Sequence, residues 1–170
     1  MNKYLKFSLV GIAAIGAAYL SGPRPSFDPV SSKPVAFMSS FTELEQAIAR
    51  DEATAKLKPD NEARIVWADS TRKQKTRYSL VYIPGFGASW AEGDPVNRNI
   101  ARTFGCNLYM ARPAEHGLKS RDAFKNLTPA NYAASAERAL AIGKLIGDSV
   151  IVMGTSAGGM LTLYLGTGLK

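Results

Sequence analysis

The sequence predicts an α/β fold with a mostly parallel sheet and helices on both of its faces. Strand-like and helix-like segments alternate along most of the chain, which is the pattern of parallel strands joined by crossover helices. Two of the strand-like runs, SLVYI and VIVM, are not interrupted by charged residues, as expected of strands that are covered on both faces. The length of 170 residues suits a single domain with its own core.

The first 39 residues are predicted to lie outside this domain. After the lysines of MNKYLK, seventeen uncharged residues run from Phe7 to Pro23. As a helix they would extend about 25 Å, the lower limit for crossing a membrane. We interpret residues 1–22 either as an uncleaved membrane anchor or as a cleaved signal, with Gly16–Ala18 as the candidate cleavage site. Both alternatives predict an exported domain: an anchor would hold it on the extracytoplasmic side of a membrane, and a cleaved signal would release it into the periplasm or the medium. Residues 23–39, rich in Pro and Ser, are predicted to form an extended tether.

The domain is predicted to begin with a helix followed by two strands. Ser40 and Glu43 form a capping-box pattern, in which each side chain can accept a hydrogen bond from the other residue's amide. This pattern predicts a helix from Phe41 to Leu57. Ala63–Asp69 and Tyr78–Ile83 are rich in β-branched and aromatic residues and are predicted strands.

The remaining elements are predicted to continue the alternation. Their expected bounds are a helix at Pro95–Phe104, a strand at Cys106–Ala111, a helix from Thr128 to Ile146, a strand at Ser149–Gly154 and a helix after Ser156. Gly105 suits the residue that follows a helix end. Thr128 and Pro129 supply the N-cap and the first-turn proline of the long helix.

Charge and cysteine content exclude several classes of function. The net charge of +7 is spread along the chain, and its densest run, Thr71–Arg77, has no interleaved aromatic residues. We interpret that run as a solvated hairpin tip and expect no nucleic-acid partner. Cys106 is the only cysteine, so an intrachain disulfide or a cysteine-based metal site is excluded, and the residue is expected to be buried. No strand is followed by G-x-G-x-x-G or by a P-loop lysine, which argues against nucleotide binding.

GTSAG at Gly154–Gly158 predicts a nucleophile elbow, because an apolar strand precedes it and a helix follows it. Ser156 would sit on a sharp, strained turn, and Gly154 and Gly158 would let the backbone pass close by. The amide of Ala157, at the helix start, would point toward an oxyanion bound beside Ser156. Ser156 is therefore the candidate nucleophile. The alternative is a glycine-rich turn with a capping serine.

PGFGAS, directly after the second predicted strand, is the candidate oxyanion loop. Gly85 and Gly87 flank Phe86, whose backbone amide is the predicted second oxyanion donor. At the carboxyl end of a parallel strand, the loop would face the edge where ligands bind in doubly wound sheets. An ordinary turn at a strand end is the alternative.

Taken together, these motifs resemble the N-terminal half of an α/β-hydrolase, near the serine esterases, the monoacylglycerol-lipase-like enzymes and the serine aminopeptidases. PGFGAS, ARPAEHGL and GTSAGG occur in the order that this family shows, within about Ile65 to Leu165. The chain has Pro84-Gly85 where the family has His-Gly, a change expected to weaken the loop rather than to abolish function. The resemblance implies that residues 40–170 form a partial domain, truncated after the elbow helix.

His116, the only histidine, is not the expected catalytic base. The resemblance implies the order Ser, acid, His along the chain, whereas His116 precedes Ser156 by forty residues. AEHGL resembles a family loop whose histidine is structural or lies near the pocket mouth. Glu115 and Asp122 are interpreted as surface carboxylates. The acid and the base are therefore expected in sequence beyond Lys170.

The sequence thus predicts an exported serine hydrolase that acts on carboxylic esters, or less favourably on amides, and whose activity is impaired as written. We expect a small-molecule acyl ester as substrate, membrane association through the N-terminal segment, and no metal or organic cofactor. The oligomeric state is left open. The alternative is a non-catalytic remnant, or a fragment that binds a partner. In either case the fourth strand would present a bare apolar edge.

Overall fold

The computed structural model describes residues 3–24, 30 and 40–167, and within these ranges the chain has an α/β fold with a four-stranded sheet. The predicted tether falls largely on residues outside this description. In chain order the elements are α1 Lys3–Ser21, α2 Phe41–Thr54, β1 Arg64–Val66, β2 Thr76–Ile83, a 3₁₀ turn Trp90–Gly93, α3 Val96–Thr103, β3 Asn107–Met110, α4 Pro129–Ile146, β4 Gly147–Gly154 and α5 Ala157–Thr167.

The sheet is mixed, so the prediction of a mostly parallel sheet is wrong. Its order is β1-β3-β2-β4, in which β2 pairs in parallel with β3 and β4 while β1 runs antiparallel to β3. The reason lies in the connection between β1 and β2. A parallel pair of strands needs a crossover of about a dozen residues or more. Residues 67–75 are too few to pack a helix on the sheet, so β1 and β2 run in opposite directions.

The basic run Thr71–Arg77 is not a hairpin tip, because β3 lies between β1 and β2. Asp69 organises the turn at its start. The Asp69 carboxylate accepts hydrogen bonds from the Thr71 hydroxyl at 2.6 Å, the Thr71 amide at 2.9 Å and the Arg72 guanidinium at 2.9 Å. These bonds, the Thr71 hydroxyl foremost, lower the pKa of Asp69 to about 2. The end of the basic run, Thr76 and Arg77, forms the first residues of β2.

Two helix starts follow from local capping. The Ser40 hydroxyl accepts a hydrogen bond from the Glu43 amide at 3.2 Å, and α2 begins at the predicted residue but ends at Thr54. The long helix α4 has the predicted bounds. Its capping box joins Thr128 and Asn131, each side chain accepting from the other residue's amide, at 3.1 Å and 2.9 Å.

Apolar clusters lie on both faces of the sheet. One face packs α2, α4 and α5 against Val81 and Ile83 of β2. The other packs α3 against Leu80 and Tyr82 of the same strand, and it includes Cys106, which is buried as predicted. β2 is thus covered on both sides, which explains why its last five residues are all buried.

The two edges of the sheet differ in length and in chemistry. β1 has three residues, and its Arg64 forms salt bridges with Asp60 at 2.7 Å and Glu62 at 3.1 Å. β4 has eight residues, and among the described strands only β2 pairs with it. Its apolar stretch, residues 150–153, contributes to both clusters but is only partly buried. β4 is therefore a long apolar edge strand in the described part of the chain.

The helix α1 has none of its residues buried. It is 19 residues long and apolar enough to cross a membrane, a test that a signal sequence near the N-terminus also passes. The helix therefore fits both alternatives derived from the sequence, the anchor and the signal.

Candidate active site

Ser156 is exposed on the turn between β4 and α5. Its φ of +50° lies in the left-handed region, which costs a non-glycine residue about 1 kcal/mol or more. Backbone hydrogen bonds hold the turn: the Thr155 amide donates to the Ile83 carbonyl at 3.3 Å, and the Gly158 amide to the Thr155 carbonyl at 2.8 Å. The strain and the exposure expected of a G-x-S-x-G turn are both present at this serine.

Gly154 and Gly158 occupy positions at which a side chain cannot fit. An ideal Cβ on Gly154 would lie 2.3 Å from the carbonyl oxygen of Gly158. Gly158 in turn packs against the backbone at the end of β2. Because backbone atoms surround both positions, no side-chain movement could relieve the overlap. The two glycines let β4, the serine turn and the start of α5 pack directly on β2.

The candidate oxyanion loop, residues 84–89, leaves β2 beside the serine turn. Pro84 and Gly85 are buried, whereas Phe86 and Gly87 are exposed. Gly87 has a φ of +74°, and the Ala88 amide donates to the Gly85 carbonyl at 3.1 Å, which closes a tight turn. An ideal Cβ on Gly85 would lie 3.3 Å from the Thr155 carbonyl oxygen, so the loop and the serine turn are in contact range.

The two predicted oxyanion donors, the backbone amides of Phe86 and Ala157, donate no hydrogen bond to any described residue. Ala157 is the first residue of α5, where a helix has no internal acceptor for its amide. Each of the two segments beside Ser156 therefore offers an N–H group that could donate a hydrogen bond to an oxygen on which negative charge develops.

Three further side chains connect the loop to the serine turn. The Gly85 amide donates to Oε2 of Glu92 at 2.8 Å, and the same oxygen lies 3.3 Å from the Tyr82 hydroxyl. The Tyr82 hydroxyl is also 3.0 Å from the Thr155 hydroxyl, one residue before Ser156. The sequence analysis missed all three residues. A lone glutamate in a polar turn, and a tyrosine and a threonine at the ends of strands, carry no signal that would single them out.

His116 is fully buried in an aromatic cluster near the loop. Its ring stacks on Tyr132 with centroids 5.5 Å apart, and it meets Phe86 and Phe124 edge-on at 5.7 Å and 5.1 Å. Its Nδ1 lies 2.8 Å from the Ala114 carbonyl oxygen. Burial, and secondarily the nearby Arg112, lower the pKa of His116, so the neutral ring is favoured. His116 forms no hydrogen bond with Ser156; besides its ring contacts it interacts with the backbone of Ala114 and Gly85.

No acid or base lies within hydrogen-bond reach of the serine hydroxyl among the described residues. Among residues 3–24, 30 and 40–167, no side chain forms a hydrogen bond with the Ser156 hydroxyl. Asp122 is exposed and Glu115 is half-buried, and neither carboxylate bonds to His116. In the same ranges no group of three His, Cys, Asp or Glu side chains could hold a metal ion. Ser156 is thus a hydroxyl without a general base in the described region.

An apolar groove of about 490 Å³ begins one helical turn beyond Ser156. Met160, whose amide donates to the Ser156 carbonyl at 3.1 Å, lies on its wall. Phe86 of the candidate oxyanion loop also lines the groove, together with residues at the start of α4 and along α5. The phenyl ring of Phe86 stacks on Phe124 at 4.7 Å and remains 60% exposed. The groove could accept an apolar group attached to a carbonyl held at the serine.

Comparisons with known proteins do not assign the chain to a family. No protein-family model matches the sequence. No curated protein is significantly similar to it.

Proposed function

We propose that the chain is a serine hydrolase of the α/β class, with Ser156 as its nucleophile. The observation that carries the proposal is the conformation of Ser156. It is an exposed, left-handed residue at the start of a helix, held between two glycines that no other residue could replace. Four other non-glycine residues in the described part of the chain have a positive φ, so it is the combination with exposure and the two flanking glycines that matches a nucleophile elbow.

The arrangement supports acyl transfer. Ser156 Oγ would attack the carbonyl carbon, the hydroxyl proton would pass to a base, and the carbonyl oxygen would become an oxyanion. The amides of Phe86 and Ala157, which have no acceptor among the described residues, would donate to that oxygen. Collapse of the intermediate would break the bond to the alcohol, which takes the proton from the base and leaves, and water would then hydrolyse the acyl-serine to the acid and free serine. The amides alone, with bound substrate, would provide a residual acceleration of about 10³–10⁴ over water.

The proposed substrate is a carboxylic ester with an apolar acyl or alcohol group. The groove beside the serine is lined mainly by apolar and aromatic side chains, among them Phe86, Leu127, Met160 and Leu161. Burial of a hydrocarbon group on such a surface is favourable by about 25 cal/mol per Å² of apolar area removed from water. It offers few partners for the polar backbone of a peptide, which is why an amide substrate is the less favoured alternative. Association with a membrane through α1 would suit an apolar ester.

The second candidate is a non-catalytic remnant of such a hydrolase. The observation that favours it is the Ser156 hydroxyl, which has no hydrogen-bonded base among the described residues. An unassisted serine hydroxyl is a poor nucleophile near neutral pH. The two candidates share the turn and the loop and differ only in the reactivity of the serine.

Labelling with a fluorophosphonate probe, read by intact-protein and peptide mass spectrometry, tests the proposal. The 170-residue chain is compared with Ser156→Ala and with Ser70→Ala, another exposed serine, in the absence and presence of added imidazole as an external base. We expect a single adduct at Ser156, formed faster with imidazole, lost in Ser156→Ala and retained in Ser70→Ala. Adducts spread over several serines, or no adduct even with imidazole, would leave the remnant as the better description.

A further inference from the structure

We propose that Glu92 is a positioning residue that links the oxyanion loop to the serine turn, an inference that rests on the function proposed above. Glu92 lies in the 3₁₀ turn Trp90–Gly93, outside both motifs that carry the candidate chemistry. Its carboxylate nevertheless meets the loop directly and reaches the serine turn through one side chain. It adds a side-chain support to a loop that is otherwise held by its own turn and by the contacts of Phe86 with His116 and Phe124.

The first link joins Glu92 to the loop. The Gly85 amide is the first N–H after Pro84, which has none, and it donates to Oε2 of Glu92 at 2.8 Å. An ideal Cβ on Gly85 would lie 3.1 Å and 3.2 Å from the two carboxylate oxygens, so the carboxylate packs directly against this glycine. This hydrogen bond satisfies an amide at a buried position of the loop. It fixes the peptide that immediately precedes Phe86 and leaves the Phe86 amide free.

The second link joins Glu92 to the serine turn through Tyr82. The Tyr82 ring is fully buried, and it lies so close to Gly93 that an ideal Cβ there would be 2.4 Å from the ring. This approach brings the Tyr82 hydroxyl to 3.3 Å from Oε2 of Glu92 and 3.0 Å from the Thr155 hydroxyl. Burial first, and then the Glu92 charge, raise the pKa of Tyr82, so the phenol keeps its proton and donates to the carboxylate. The Thr155 hydroxyl is then the donor to the phenol oxygen.

The consequence concerns the two halves of the candidate oxyanion hole. One donor is carried by the loop and the other by the start of α5, and they must be held within about 0.5 Å of a productive geometry. The chain of bonds from Gly85 through Glu92 and Tyr82 to Thr155 connects these two segments without passing through Ser156. Glu92 therefore affects the rate of the covalent step at the serine and has no direct contact with substrate.

The test measures fluorophosphonate labelling of Ser156 as a function of probe concentration, in the full chain with imidazole present. The variants are Glu92→Ala, Glu92→Gln, which keeps an acceptor oxygen, and Tyr82→Phe, which removes only the hydroxyl. Glu62→Gln, a glutamate paired with Arg64, is the matched control. We expect Glu92→Ala to lower the maximal labelling rate about 10-fold to 100-fold with an unchanged half-saturating concentration, since small misplacements of catalytic groups have effects of this size. Glu92→Gln should restore part of the rate.

Equal maximal rates in Glu92→Ala and Glu62→Gln would overturn the proposal. If Ser156 of the parent chain is not labelled, the proposed function fails. The hydrogen-bonded link from Gly85 through Glu92 and Tyr82 to Thr155 is then tested separately by NMR. In a double-mutant cycle of Glu92→Gln and Tyr82→Phe, we expect non-additive changes in the Gly85 and Thr155 amide shifts. Additive changes would mean that the two residues act separately and that no link exists.

Discussion

Gly158 packs against Ile83 so closely that an ideal Cβ on the glycine would lie 2.1 Å from the Ile83 carbonyl oxygen. This contact joins the first turn of α5 to the end of the central strand β2. The relationship explains why glycine follows the serine at a spacing of two: the helix could not start at this depth with any side chain at position 158.

Gly158→Ala is accordingly expected to destabilise the domain by about 3 kcal/mol, at the upper end of the cost of overpacking a core. Gly159→Ala is the matched control, because its nearest non-local atom would be the Gly154 carbonyl oxygen at an ordinary 3.5 Å. That variant should be neutral or more stable by up to about 1 kcal/mol, the advantage of alanine inside a helix. Urea unfolding followed by circular dichroism measures both. Equal effects of the two substitutions would contradict the packing described for this turn.

Ser156→Gly should make the protein more stable while removing its candidate nucleophile. Glycine adopts the left-handed conformation found at this position, where φ is +50°, without the steric cost that serine incurs. We expect a gain of about 1 kcal/mol in the free energy of unfolding, together with complete loss of probe labelling. Ser156→Ala, which also loses the hydroxyl, should show no such gain. A stability equal to that of Ser156→Ala would show that the turn is not strained.

The single histidine should produce a measurable pH dependence of stability. The pKa of His116 is lowered in the folded state, chiefly by burial, from an unfolded value of about 6.5. The unfolded chain therefore binds more protons between the two values, and stability is full above about pH 7 and falls as the pH drops through 6.5. The slope is at most about 1.4 kcal/mol per pH unit. Denaturant titrations from pH 8 to pH 5 should show it in the parent chain and a flatter curve in His116→Phe. Parallel curves would contradict the direction of the shift.

The uncovered edge of β4 should promote association between copies. Its apolar residues are only partly buried, and no described strand lies on its outer side. Ser149 is an exposed residue of this strand, so Ser149→Lys places a charge at the edge without disturbing the core. As the protein concentration rises, we expect the average mass of this variant in sedimentation or light scattering to stay below that of the parent chain. Ser70→Lys adds the same charge away from the edge and should behave like the parent. If both lysine substitutions reduce association equally, the cause is the change in net charge and not the β4 edge.

The sequence predicts the elements of this fold better than their pairing. The bounds of α4 are correct because Thr128 and Pro129 mark its start through local geometry. The antiparallel pairing of β1 was missed, since three residues such as Arg64–Val66 carry no information about direction or neighbour. The same limit applies to the site. G-x-S-x-G is a local pattern and can be read from the chain. Glu92 and Tyr82, by contrast, meet because the buried Tyr82 ring passes close to Gly93 and brings its hydroxyl to the exposed Glu92.

The turn that carries Ser156 is shaped chiefly by its backbone. Glycine packing, a left-handed φ and main-chain hydrogen bonds define the turn, and no described side chain holds the serine in place. If the chain is the proposed hydrolase, proton-accepting groups could therefore be gained, exchanged or lost elsewhere in it without rebuilding this corner of the sheet. A base supplied from elsewhere would therefore meet a serine whose backbone is already in place.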